Sequence, residues 1–443
     1  MSFWKDGGPM AVPEFFRKAS FSFLMRFSGL FVQFLGSIII ARLLGAQHYG
    51  ALTYATTWAI FLGLVLPLGL GELSIREVPA YLAKKQFRPL TGFLINVIVT
   101  ILIAGTLTTV LLATLEKLEI LVLEPGWPLV AAFTVVHALV LSISSALNGF
   151  QRILTSQFLE TILRQFLYLG LIGLVVLYGI NLTPTRVFEL SLLAALPTLI
   201  IMVVVLLRVR RKSGAAGVRP EYHHRIWFVG AMPLLMTALA NRLQLDLDVL
   251  MVGGILGNFD VGIYRAAARG AILVSIANMI AIQLVGPMLS RALANNDHQE
   301  AQRLLSQAAL FSLATGVPII LFFGFGAVFY LGLFGPEFVN ASSSLRLLLV
   351  GQATIIFAGA DSILLIMLHK ERLVLIVTAL GVALNFALNF ALIGPYGING
   401  AATASLVSMA LVRFAMVAFV LRTTGFDTTV FTPLRVFLRR NRG

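Results

Sequence analysis

Twelve apolar stretches run along the chain, at residues 16–44, 49–74, 90–115, 128–148, 156–178, 186–207, 226–253, 261–290, 305–334, 346–368, 373–393 and 401–421, separated by short polar breaks. Each is long enough to cross a bilayer as a helix, which takes about 20 residues. The pattern predicts an all-α integral membrane protein with twelve transmembrane helices. The first stretch is too long for a cleaved signal peptide and leads directly into a second span. Pro67, Pro197, Pro233, Pro287 and Pro318 fall inside stretches, where each removes a backbone hydrogen bond and bends its helix.

Composition narrows the class. Of 443 residues, 58% are hydrophobic and 12% charged, whereas soluble domains carry about 25% charged residues. A water-soluble enzyme is excluded. Zero cysteines exclude disulfides, thiolate chemistry and cysteine-ligated metals. The net charge of +14 would suggest a nucleic-acid partner in a soluble protein. Here its placement says otherwise. With the amino terminus inside, 23 of the 33 Lys and Arg fall in inside segments, and the outside breaks hold three, Lys117, Arg186 and Arg346. Positive charge concentrated on one side marks the cytoplasmic face, so both termini are expected there and nucleic acid is not an expected partner.

The chain also repeats itself. Residues 43–54 read LLGAQHYGALTY and residues 255–266 read ILGNFDVGIYRA, each placing Leu-Gly, four residues, then Gly, 212 positions apart. Tyr178-Gly179-Ile180-Asn181 returns as Tyr396-Gly397-Ile398-Asn399, 218 apart. The offsets define two halves of six helices. Because six is even, both halves enter the membrane in the same sense, predicting two six-helix bundles related by a pseudo-two-fold along the membrane normal. Secondary transporters use this arrangement, with a substrate site between the halves. The expected organisation is a first lobe at 1–207, a basic cytoplasmic linker at 208–225, a second lobe at 226–421 and a basic cytoplasmic tail at 422–443. Val430–Arg442, apolar on one side and basic on the other, is expected to lie along the cytoplasmic leaflet.

Charges inside spans are costly and usually face a cavity or a partner. Seven are arginines: Arg26, Arg42, Arg164, Arg242, Arg265, Arg269 and Arg413. Six acids accompany them: Glu72, Glu160, Glu189, Asp246, Asp248 and Asp361. Glu160 with Arg164, and Arg242 with Asp246, stand one helical turn apart and can pair. Asp248 points roughly 200° away from Asp246 around its helix. Arg265 and Arg269 are like charges four apart on one face, an unfavourable pair unless something anionic meets them. Arg26 has no acid within a turn. Arg26, Arg242, Arg265 and Arg269, with Arg42 and Arg164 as further members, are therefore expected to line a cationic cavity. Guanidinium groups bind phosphate oxygens through a two-pronged fork, so an anionic, phosphate-bearing cargo is implied. The competing expectation is that individual arginines pair with Asp361, Glu72 or carbonyls, or that Arg42 and Arg265 reach the outer interface.

No Gly-Lys dipeptide occurs, so there is no phosphate-cradling loop for ATP. The six histidines show no metal-binding spacing; His137 is expected to be a hydrogen-bonded core residue, and His223 and His224 to be solvated. No cofactor or metal is expected. Energy would come from an ion gradient, the membrane potential or the cargo's own gradient, with Asp246, Asp248, Asp361 and Glu72 as the acids available to Na⁺ or H⁺.

Ala41-Arg42-Leu43-Leu44-Gly45 with Tyr49-Gly50, then Leu68-Gly69-Leu70-Gly71 and Arg76-Glu77, resembles the opening of polysaccharide (O-antigen type) flippases. The run from Asp248 to Tyr264, and Asn385, Asn389 and residues 393–402 (IGPYGINGAA), resemble the second half of the same family, part of the multidrug/oligosaccharidyl-lipid/polysaccharide exporter (MOP) superfamily. The resemblance implies two six-helix bundles around a V-shaped cleft in the inner (plasma) membrane. It implies translocation of an undecaprenyl-pyrophosphate-linked oligosaccharide to the periplasmic leaflet by alternating access, often ion-coupled, with membrane lipid and a glycan polymerase as partners. Peptidoglycan-precursor flippases usually carry fourteen helices, and drug exporters favour acidic cavities; the twelve stretches and surplus arginine point away from both. An ion-coupled exporter of small molecules or drugs is the alternative reading. A glycan polymerase or ligase would need a long outer loop, which the short outer breaks do not provide.

Overall fold

The computed structural model describes residues 12–120, 123–215 and 217–431, with side chains undescribed at 12–24, Arg26, Phe27, Ala277, Leu284 and Pro287. Among the described residues there is no strand. The helices are α1 (Val12–Val65), α2 (Leu70–Ala83), α3 (Phe87–Lys117), α4 (Trp127–Gly149), α5 (Ile153–Gln157), α6 (Arg164–Leu177), α7 (Pro184–Lys212), α8 (His224–Ile255), α9 (Asn258–Ala294), α10 (His298–Phe325), α11 (Ala327–Gly332), α12 (Ser342–Ala358), α13 (Asp361–Met367) and α14 (Glu371–Thr424). A π-helical turn, Phe158–Leu163, joins α5 to α6, and a 3-10 turn, Pro336–Ala341, precedes α12.

Among the described residues, ten helical stretches are long and apolar enough to cross a membrane. The helices α1 and α14 each run 54 residues and leave helical geometry at Gly45 and Gly397. At 1.5 Å per residue, such a helix is far longer than the ~30 Å hydrocarbon layer. Each therefore holds chain for two spans, in keeping with twelve crossings. Hydropathy located the spans but not their internal breaks. The second span is interrupted after Pro67 by left-handed Leu68 and Gly69 (φ 50° and 78°). The tenth breaks at Gly359, between α12 and α13. An apolar run reads the same whether or not one residue inside it leaves helical geometry.

The repeat is visible in the backbone. Gly45 (φ 75°, ψ 171°) and Gly257 (φ 98°, ψ −176°) adopt nearly the same left-handed-side conformation at equivalent turns. Only glycine reaches it without strain. Gly179 and Gly397, from the second repeated motif, are also a positive-φ pair.

The described chain forms two compact units. One comprises the residues up to Ile38 together with Ala59–Met236; the other comprises Ile39–Trp58 with the residues from Thr237 onward. The turn at the end of the first span thus belongs to the second unit.

In the first unit, Leu73, Phe93, Leu147 and Trp227 share one core. Trp227 is fully buried, donates its Nε1–H to Tyr81 Oη at 2.9 Å, and stands edge-on to Phe93. Burial raises the Tyr81 hydroxyl above its ordinary pKa, so it remains a protonated partner. The stretch before α8 is laid on α3: Glu221 N–H donates to Arg88 O at 3.1 Å. His223 and His224, expected to be solvated, remain partly exposed but have partners, Glu221 at 3.1 Å and Asn96 at 2.8 Å. Trp227→Ala is expected to cost about 3–5 kcal/mol of stability by cavity formation, read as a lowered unfolding temperature in detergent. In the second unit a separate core gathers Leu289, Leu304, Leu364, Met416 and Val420.

Candidate functional site

The charges of the second unit converge where α8 meets α9. Asp246 on α8 is 3% exposed. It accepts an ion pair from Arg242, one turn earlier on the same helix, and another from Arg265 Nη1 on α9 at 2.8 Å. One carboxylate is therefore shared by two guanidiniums. Arg269, a turn further along α9, forms no ion pair among the described residues, and its Nε is buried without a hydrogen-bond partner. The Nε atoms of Arg242 and Arg265 are in the same state. Beside Arg269, the Tyr330 ring packs against Gly270 and donates its hydroxyl to Ala266 O at 2.9 Å. Two cations share one anion here, and a third stands a turn further along α9. The guanidinium N–H groups left over are the forked donors that fit phosphate oxygens.

Asp248 lies two residues on and serves a different set of neighbours. Tyr264 Oη donates to its Oδ2 at 2.7 Å, Asn389 Nδ2 to its Oδ1 at 2.8 Å, and Ser405 Oγ also donates to Oδ2. Asn389 Nδ2 also donates to Asn385 Oδ1 at 2.9 Å, and Asn385 Nδ2 to Ser405 and Ser408 hydroxyls, both at 3.3 Å. The two acids point apart because a helix turns about 100° per residue. The pairing of Arg242 with Asp246 and the divergence of Asp248 were both legible as spacings. The ring of Tyr264, Asn385, Asn389, Ser405 and Ser408 emerges only in the fold. A signal for it exists in the chain: amides four apart and hydroxyls three apart on otherwise apolar helices.

Within the same unit, Asp361 and Arg42 do not join this cluster. Asp361, 1% exposed at the start of α13, is held by Arg413 at 3.0 Å and by Ser362 Oγ at 2.9 Å. Arg413 and Asp361 neutralise each other, as the competing expectation had it. Arg42 is exposed and donates to Leu333 O at 3.4 Å; its long side chain extends to the helix end instead of joining the cluster. Glu72 is exposed. Arg164 belongs to the first unit. Glu160, inside the π-helical turn, accepts from Ser144 Oγ at 2.6 Å, and its charge still acts on Arg164. The Arg26 side chain and the tail from residue 432 lie outside the described residues.

This fold is that of multi-pass membrane transporters. An inward-facing multidrug resistance MATE family transporter of the MOP superfamily superposes with a TM-score of 0.69 at 13% identity, covering 94% of this chain and 99% of its own. The lipid II flippase MurJ, inward closed, gives 0.70 at 15% identity, covering 91% and 87%. A MOP superfamily transporter from Pyrococcus furiosus, described by a binding pocket of reverse polarity, gives 0.60 at 14% identity, covering 91% and 95%. No curated protein sequence matches the chain. Residues 15–293, more than half of the chain, match the polysaccharide biosynthesis protein family, and the chain belongs to that family. Its fold is the one shared by these membrane transporters.

Proposed function

We propose that this protein carries an undecaprenyl-pyrophosphate-linked oligosaccharide from the cytoplasmic to the periplasmic leaflet of the inner membrane by alternating access, with both termini cytoplasmic. The observation that carries the reading is the excess of guanidinium over carboxylate at Arg242, Arg265, Asp246 and Arg269. A diphosphate head group supplies the missing negative charge and the acceptors for the unpartnered N–H groups. The test is surface-glycan export in a deletion strain complemented with single variants. Arg265→Ala and Arg269→Ala are expected to lose export while Arg346→Ala, at an exposed site, retains it. Full export by both cluster variants would overturn the head-group role. Drug resistance on overexpression, with surface glycan unchanged on deletion, would favour a small-molecule exporter instead.

Ion coupling is part of the same proposal, and Asp248 is the acid we assign to Na⁺ or H⁺. Neutral oxygen and nitrogen groups surround it, whereas Asp246 and Asp361 are already held by arginines. Asp248→Asn is expected to uncouple export from the ion gradient, measured as transport into vesicles with and without an imposed gradient. Equal gradient dependence in variant and parent would remove Asp248 from this role. A glycan polymerase is the partner proposed at the receiving face.

A further inference from the structure

The stretch between α7 and α8, read in the sequence as a basic linker, is laid along α3 within the first unit. Ala215 N–H donates to Arg210 O at 3.3 Å at the end of α7, and a Cβ at Gly214 would touch the Phe87 ring at 3.6 Å. Glu221 N–H then donates to Arg88 O at 3.1 Å, and His224 Nδ1 stands 2.8 Å from Asn96 Oδ1 at the start of α8. The seat is tight, since a Cβ added at Gly92 would lie 1.9 Å from Glu221 O. One ordered shelf thereby ties together the start of α3, the end of α7 and the start of α8.

What this shelf displays is cationic. Arg88, Arg208, Arg211, Lys212, Arg219 and Arg225 are all exposed. Residues 84–96 hold no acid and residues 207–229 hold one, Glu221, which pairs with His223 at 3.1 Å. Arg210, in the last turn of α7, has its Nε buried without a hydrogen-bond partner. Neighbouring side chains fix the depth. Leu207, Ile226 and Val229 are exposed and apolar, as a lipid-facing surface is, so Arg208 and Arg225 beside them stand at head-group level. Tyr222, also exposed, belongs to the same level, where aromatic rings with a polar tip gather. Membrane topology needs only the sign of this charge, in a loop of any conformation. A linker pinned to α3 does more, because it holds the backbone of several guanidinium forks in one arrangement, and such forks match phosphate oxygens.

We infer that this shelf binds the head group of an anionic phospholipid, drawn from the cytoplasmic leaflet in the proposed orientation, with Arg88, Arg210 and Arg219 as donors. Basic clusters just outside membrane spans recognise such lipids by charge and hydrogen bonding. At the edge of the bilayer, phospholipid is the anion at hand. The site belongs to the first unit, whereas the arginine cluster of the proposed function belongs to the second, and the inference does not depend on the cargo.

Thermal unfolding of the full-length protein in detergent, titrated with phosphatidylglycerol and separately with phosphatidylcholine, tests the site. Phosphatidylglycerol is expected to raise the unfolding temperature and phosphatidylcholine to leave it unchanged. Arg219→Gln should raise the phosphatidylglycerol concentration needed by about fivefold, the effect of one cation near an anionic lipid surface. Arg88→Gln/Arg210→Gln/Arg219→Gln should abolish the response, and if that protein does not fold, Arg219→Gln decides alone. Lys117→Gln/Arg186→Gln removes two exposed cations from the other set of breaks and should respond as the parent does. Gly92→Ala removes no charge but unseats the linker, so a weakened response is expected there too. A parent-like response from the arginine variants or from folded Gly92→Ala, or an equal loss in Lys117→Gln/Arg186→Gln, would reduce the site to diffuse charge and overturn it. Arg269→Ala should respond as the parent does; a lost response would move the lipid phosphate to the cluster of the second unit and contradict the shelf. Export lost in Arg269→Ala with the lipid response intact bears on the cargo alone.

Discussion

Asp246→Asn is expected to lower stability by about 3–5 kcal/mol, the usual cost of removing one partner from a buried ion pair. Here the loss is doubled in kind, since Arg242 and Arg265 both depend on that carboxylate. The variant would leave Arg242 and Arg265 side by side with no counter-charge where ionised groups are already costly. Thermal unfolding in detergent measures the fall. A second substitution, Arg265→Gln, should recover part of it, because residues sharing one partner are not additive. Equal stability of Asp246→Asn and parent would mean that the two ion pairs contribute nothing to the fold.

Arg269→Ala should behave in the opposite way. It breaks no ion pair and removes a guanidinium whose Nε is buried and unpartnered, so unfolding temperature is expected to be unchanged or raised. Binding is where it should fail. A charged hydrogen bond to phosphate contributes about 1.5–3 kcal/mol, a roughly ten- to hundredfold change in affinity. Arg269→Lys keeps the charge without the fork and should fall between parent and Ala. Inorganic pyrophosphate, titrated by calorimetry against the three proteins, reads the order directly. Parent-like affinity in Arg269→Ala would exclude this side chain from the head-group site. The pair of variants separates two roles that one cluster combines: Asp246 keeps the arginines in place, and Arg269 is left free for cargo.

The spans were legible because a bilayer imposes a length and an apolar composition that any window can read. The repeat was legible because both copies need glycine at the same two places, Gly45 and Gly50, then Gly257 and Gly262. Arg242 with Asp246 followed from helical spacing within a single segment. The pairs that cross between segments did not follow. Arg265 reaches Asp246 nineteen residues away, and Arg413 reaches Asp361 across 52; spacing carries no information about either. The Asp248 ring was hidden because Asn and Ser are common in membrane helices, and only the fold brings Tyr264, Asn389 and Ser405 to one carboxylate with Asn385 and Ser408 behind them.

Recognition of a lipid-linked glycan's diphosphate by free guanidinium at this cluster is the step on which the proposed function stands. Its most direct test is translocation of a labelled polyprenyl-diphosphate oligosaccharide across proteoliposomes, beside a neutral glycolipid bearing the same sugars. The parent protein is expected to translocate the diphosphate lipid and not the neutral one, and Arg269→Ala to translocate neither. Equal transfer of both lipids by the parent, or undiminished transfer by Arg269→Ala, would contradict it.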